Sequence, residues 1–328
     1  AVVQGLTVDK GAGAVSTNTA VGVTALNANT TGSNTTGIGY AALLANTSGV
    51  QNTAVGGSAA PFNTTGSYNS AFGTVALFSN STGSNNTAIG VSALQSNTTA
   101  SSNTAVGHQA AYTNTTGALN TAIGVTSLYS NTTGGLNTAV GYNSGYNNTT
   151  GVSNIAIGGF SLTYNTTGNY NTAVGSGQLG VNFGALGLNT TGSNNTAMGV
   201  NALHSNTTAS NSTAVGYQAG YTNTTGQITA IGYQAGYSNL SGIQSTFVGY
   251  QAGLNTTGSA NTFVGGGTSA AAGYSVTTGA KNTILGGYTG NQGGLDIRTS
   301  NGYVVLSDGD GNIVLSTNYA RSVALYGA

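Results

Sequence analysis

Ten glycines, at positions 22, 39, 56, 73, 90, 107, 124, 141, 158 and 175, recur every seventeenth position without a slip. Around each, the chain repeats one phrase: Asn-Thr-Ala-Val/Ile-Gly, a stretch of small residues ending in Ala-Leu or Ala-Gly, then Asn-Thr-Thr-Gly. A period this short and regular means one small unit stacked many times, each copy burying the apolar face of the next. The register continues through Gly199, Gly216, Gly232, Gly249, Gly265 and Gly286, with a seven-residue insertion around 180–186 and a longer excursion through 269–274. Insertions that leave the flanking units intact are what a stacked coil tolerates.

The residue before each marker glycine is large and apolar, as in Val21, Ile38, Val55, Phe72, Ile89, Val106, Ile123 and Met198. Thr stands two positions earlier and Ala between them. This alternation predicts a short strand with Thr and the aliphatic on one face and Asn, Ala and Gly on the other. We expect the aliphatic column to point inward, and the small Ala/Gly column, with Ala105 and Ala122 in it, to form a seam against another surface. The next apolar pairs, such as Ala25-Leu26, Ala42-Leu43 and Ala93-Leu94, predict a second strand, and Asn-Thr-Thr-Gly a tight turn. Each coil then has two short strands and two corners, and 16 to 17 coils at ~4.8 Å predict a shaft of about 80 Å.

In-register stacking explains the charge pattern. Residues 11–280 contain no Lys, Arg, Asp or Glu, because a charge written into the repeat becomes a ladder of like charges. Asn and Thr can instead hydrogen-bond to their own copies, and Tyr112, Tyr129 and Tyr146 can form an aromatic column. With 38% apolar residues in strict register, disorder is rejected. One or two bulky apolar residues per coil make a thin core, so lateral association of several chains is expected. The expected fold class is all-β: a parallel β-solenoid or β-roll of seventeen-residue coils, packed or intertwined as a homotrimeric fibre. A lead-in covers 1–17, the shaft 18–290 with an insertion near 176–192, and a β-hairpin cap or linker 291–328. Within the last segment, Tyr303-Val-Val-Leu-Ser and Ile313-Val-Leu-Ser read as two strands joined by a tight turn.

No run of apolar residues is long enough for a membrane span, and the formal net charge of zero gives no electrostatic attraction to nucleic acid. The start of the chain, without Met or a signal segment, implies a processed or trimmed piece. The absence of Cys means that no disulfide holds the chain together. His108 and His204 lie in different coils without a carboxylate or thiol in the repeat, so neither catalysis nor a cofactor is expected. Asp308-Gly-Asp-Gly-Asn312 has the alternating oxygens that open a calcium loop, which makes Asp308, Asp310 and Asn312 the candidate metal ligands. The distant Glu that closes such a loop is missing, and the segment reads as a hairpin turn. The Asn-X-Thr sequons at Asn63, Asn97, Asn114 and Asn131 read as turn residues rather than glycan acceptors. Regular Thr columns on a flat β-face raise ice binding as an alternative, disfavoured here because that face is expected to point inward.

Phrases such as Asn103-Thr-Ala-Val-Gly-His-Gln-Ala, Gly216-Tyr-Gln-Ala-Gly-Tyr, Gly293-Gly-Leu-Asp-Ile-Arg-Thr and Val305-Leu-Ser-Asp-Gly-Asp-Gly-Asn carry a resemblance. They resemble the tail-fibre and virion-fibre proteins of bacteriophages, those of marine and cyanobacterial phages especially. The Asn-Thr-Ala-Val-Gly units are more distantly similar to the head repeats of trimeric autotransporter adhesins, whose period is shorter. The resemblance implies a homotrimeric fibre shaft on a virion that extends a host-recognition tip. Its partners would be its own copies, other fibre or baseplate proteins, and a host-surface glycan or receptor. The alternative in a different class is a cell-surface adhesin or extracellular filament subunit.

Overall fold

A computed structural model describes residues 2–3, 6–178, 183–267, 271–318 and 323–325. Parts of the insertion (179–182), of the later excursion (268–270) and of the C-terminal segment (319–322 and 326–328) lie outside the described residues. The chain divides into two compact units, Ala1–Ile157 with Asn165–Thr167, and Gly158–Tyr164 with Gly168–Ala328.

Each marker phrase forms one strand. In the first unit Thr19–Val21, Thr36–Ile38, Thr53–Val55, Ser70–Phe72, Thr87–Ile89, Thr104–Val106, Thr121–Ile123, Thr138–Val140 and Ile155–Ile157 pair in parallel. Thr104 lies opposite Thr121, Ala105 opposite Ala122 and Val106 opposite Ile123. The second unit repeats the pattern from Thr172–Val174 to Thr283–Leu285 and on to Val304–Ser307. The fold is therefore an all-β parallel β-solenoid of about 17 turns, almost without helix. In the first unit Leu6–Asp9 pairs antiparallel with Thr19–Val21. In the second, Val304–Ser307 pairs antiparallel with Ile313–Thr317.

The second strand expected in each coil does not form. After Gly107 the chain runs through consecutive turns, with Gln109 at φ 54° and Ala111 at φ 49°. Backbone bonding to the next coil survives, since the Leu94 N–H donates to the Ala110 carbonyl at 3.0 Å and the Ala111 N–H to that of Ser127 at 2.9 Å. The Thr-Thr side does likewise, with the Thr115 N–H donating to the Thr132 carbonyl at 2.9 Å. A loop this short closes only by bending sharply, and left-handed residues supply the bends despite their intrinsic strain. The marker glycine is needed for shape and space together. Gly107 has φ 140°, and a Cβ on it would stand 2.5 Å from the Gly124 carbonyl oxygen.

The faces of the strand are the reverse of the expectation. Ala88, Ala105, Ala122 and Ala139 are fully buried, whereas Ile89, Ile123 and Ile157 are about 40% exposed. The interior is too narrow for a large residue on both sides. Leu77 and Leu94 fill it from the turn side, which leaves room on the strand for a methyl group only. At Gly37, which replaces Ala in that column, an added Cβ would meet the Ala42 carbonyl oxygen at 3.1 Å and Leu26 Cγ at 3.4 Å, so one methyl group fills the space. At Gly236 and Gly253 the volumes trade places. Phe247 occupies the strand position there, and a Cβ on Gly236 would come within 2.6 Å of its ring. Ala105 and Ala122 are thus core residues and not a seam.

Two buried asparagine columns complete the core. In the turn column each amide nitrogen donates twice: Asn114 Nδ2 to Asn97 Oδ1 at 3.0 Å and to its own turn's Gly117 carbonyl at 2.9 Å. Asn131 Nδ2 in turn donates to Asn114 Oδ1 at 2.7 Å. In the pre-strand column the side-chain oxygen accepts a backbone N–H from the next coil, as from Asn120 to Asn103 at 2.9 Å. The same residue's Nδ2 donates to the Gly117 carbonyl at 2.9 Å. The turn ladder fails where the repeat shortens by one position, between Asn223 and Asn239. Asn239 is buried with neither Nδ2 nor Oδ1 bonded, and Ile228 takes a pre-strand place that Asn fills in most coils.

A buried amide is stabilising when paired and destabilising when not. Asn114→Leu should therefore lower stability by about 2 kcal/mol or more, while Asn239→Leu should be neutral or stabilising. Denaturant melts of the two variants check this, and equal losses would contradict the ladder.

Candidate functional surface

The most extensive feature outside the core is the outward strand face. In the first unit Phe72, Ile89, Ile123 and Ile157 are 39–42% exposed, with half-buried Val55 before them and Val106 and Val140 between them. Thr87, Thr104, Thr121 and Thr138 form a half-buried column two residues away, on the same side by strand alternation. Beyond the marker glycine Val23, Tyr40, Val91, Val125 and Tyr142 are also exposed. The second unit has an aliphatic column of its own in Met198, Ile231, Val264 and Leu285, with Val200, Tyr217, Tyr233 and Tyr250 beside it. No charged residue interrupts these columns between 11 and 280. The exposed aliphatics of the first unit alone present on the order of several hundred Å² of apolar surface, as much as a typical monomer exposes in its largest patch.

Sequence reasoning took this face for the core because its residues are large and apolar. A signal for the opposite choice was present. The inner column of the first ten repeats is Ala but for one Gly, while the outer column ranges over Val, Ile and Phe. A filled interior fixes residue size, and an open face does not.

A second set of columns is aromatic. Tyr112 stacks on Tyr129, and Tyr129 on Tyr146, with ring centroids 5.1 and 5.0 Å apart and planes within 4° of parallel. Burial, then the neighbouring Tyr146 and Tyr112, push the Tyr129 phenol up from its ordinary pKa. His204 stands in the corresponding column of the second unit, stacked on Tyr221 at 4.8 Å and facing Phe183 at 6.4 Å. Its ring is buried, Nδ1 lies 3.3 Å from Ser205 Oγ, and Nε2 has no partner. His108 is exposed, in the column just beyond the marker glycine, between Val91 and Val125. The structure brings neither histidine to an acidic side chain, and among the described residues no group of three or more His, Asp or Glu is placed to hold a metal ion.

The residues 308–312 segment is a turn built by its first aspartate. Asp308 Oδ1 accepts the backbone N–H groups of Asp310 at 3.0 Å and Asn312 at 2.8 Å, and Oδ2 accepts Asn312 Nδ2 at 2.9 Å. The Asn312 side-chain amide, followed by its backbone N–H, holds the Asp308 carboxyl below the usual range. Both oxygens are thus engaged inside the hairpin connection. Asp296 and Arg298 form a bidentate ion pair, at 3.0 and 2.7 Å, beside an open recess lined by Asn255, Ser275 and Thr277. The sequon asparagines Asn63, Asn97, Asn114 and Asn131 have no solvent exposure, and each amide nitrogen donates two hydrogen bonds. In the folded chain these acceptors are closed.

Comparisons with known protein families, with curated proteins and with solved structures find no match to this chain.

Burial lowers the pKa of His204, so the folded chain resists a proton that the unfolded chain accepts below about 6.5. Stability should therefore be level above that pH and fall as the pH drops from about 6.5 toward 5. His204→Phe should flatten this part of the curve, and thermal melts across the interval provide the check.

Proposed function

We propose that this chain is the shaft of a fibre, built from three copies packed through their outward strand faces, that holds a receptor-reading tip away from a phage virion. One observation carries the reading: the Thr and aliphatic columns, with the Val/Tyr column beside them, face outward without a charge along each unit. Burying such a face against another copy removes apolar area from water at about 25 cal/mol per Å². A second copy also has the same coil-to-coil rise, so side chains can interdigitate along the whole face. Three copies, the virion location and the tip follow from the phage-fibre resemblance of the repeats and of the Gly293-Gly-Leu-Asp-Ile-Arg-Thr phrase.

A second reading gains from the same geometry. The Thr column points outward, which removes the objection to an ice-binding face. The columns beside it are aliphatic and aromatic rather than threonine, and this favours the fibre.

Light scattering on a size-exclusion column separates the two. The fibre reading expects three times the mass of a single chain. The double variant Ile89→Asp, Ile123→Asp should reduce it to a single chain without loss of β-structure, since both side chains point away from the core. A wild-type monomer would overturn the fibre, and thermal hysteresis in that monomer would establish the ice reading.

A further inference from the structure

The stacked tyrosines hold chemistry that a shaft does not require. Tyr112, Tyr129 and Tyr146 are half-buried, so part of each ring meets solvent. The second unit has the same arrangement twice. Tyr221 lies on Tyr237 at 5.0 Å, and Tyr217, Tyr233 and Tyr250 follow one another at 5.4 and 5.1 Å. Ring faces are occupied by neighbouring rings, which leaves no room for a sugar or base to stack between them. The chain also has no Trp, no Cys and a single Met. Its phenols are therefore the side chains that give up a single electron most readily.

We propose that these ladders are dityrosine sites, at which a one-electron oxidant of the haem-peroxidase class, supplied with hydrogen peroxide, joins successive coils covalently. Two neighbouring phenols each lose one electron and one proton. The resulting phenoxyl radicals form one carbon–carbon bond between ring positions ortho to oxygen. Each coupled ring then passes the hydrogen on its bonding carbon to its oxygen, which restores both phenols. The pair ends two hydrogens lighter, and one hydrogen peroxide takes them up to become two waters. The fold contributes proximity: the rings are already parallel and one coil apart, so coupling is effectively unimolecular. In a chain without cysteine, such bonds tie together coils that otherwise hold by hydrogen bonds and packing.

The test treats the intact protein with a haem peroxidase and limiting hydrogen peroxide, then maps cross-linked peptides by mass spectrometry. A mixture of isotope-labelled and unlabelled protein tells bonds within a chain from bonds between chains. The expected products pair Tyr112 with Tyr129 and Tyr129 with Tyr146, each within one chain. Tyr129→Phe keeps a ring in the stack but leaves Tyr112 and Tyr146 two coils apart. In that variant the cross-links of this ladder should vanish, while the one between Tyr221 and Tyr237 persists. Dityrosine confined to the exposed and unstacked Tyr40, Tyr68 and Tyr170 would overturn the proposal. So would its absence under conditions in which free tyrosine couples.

Discussion

The asparagine ladder sets the terms for the rest of the molecule. A buried carboxamide needs partners for both its oxygen and its nitrogen, and here each coil supplies those of its neighbours: Asn80 to Asn63 at 2.7 Å, Asn97 to Asn80 at 2.8 Å, Asn114 to Asn97 at 3.0 Å. A register slip of one residue would strand every amide in the column, so the ladder fixes both the pairing and the period. The fray at Asn239, reached after a coil one position short, is the local form of that rule.

With asparagine in the turn corner and leucine on the turn side, the strand has room for alanine. The large aliphatics are consequently turned outward. A solenoid of this width cannot bury all of its apolar side chains within one chain, and the surplus becomes a surface. Core and surface are thus two sides of one constraint: the narrowness that holds the inner column to Ala also creates the uncharged aliphatic face.

The parallel stack was legible because a short fixed period admits few other folds, and the asparagine ladders because uncharged polar residues at constant register have few other uses. Which strand face points inward was not. Hydrophobicity ranks Ile123 above Ala122, but the interior selects by volume, and the volume follows from Leu94, Ala111 and Leu128 on the opposite side, whose left-handed backbone no propensity identifies. The missing second strand has the same origin. Ala93-Leu94 looks extended in sequence, and Leu94 adopts φ 50° because the loop must close within one period. At the candidate sites, Asp308 lies in a turn, where one of its carboxylate oxygens accepts the N–H groups of Asp310 and Asn312 across the glycines at 309 and 311. The outward aliphatic columns were missed because they had been assigned to the core.

Hydrogen exchange of asparagine side-chain amides, followed by NMR on protein labelled with nitrogen-15 at asparagine alone, tests the central claim most directly. The ladder predicts side-chain NH₂ groups of Asn80, Asn97, Asn114 and Asn131 that exchange as slowly as the strand backbone, with those of the exposed Asn34, Asn85 and Asn194 exchanging freely. Rapid exchange at all of these positions would contradict the account, since it would mean that the coils are not held together by their buried amides.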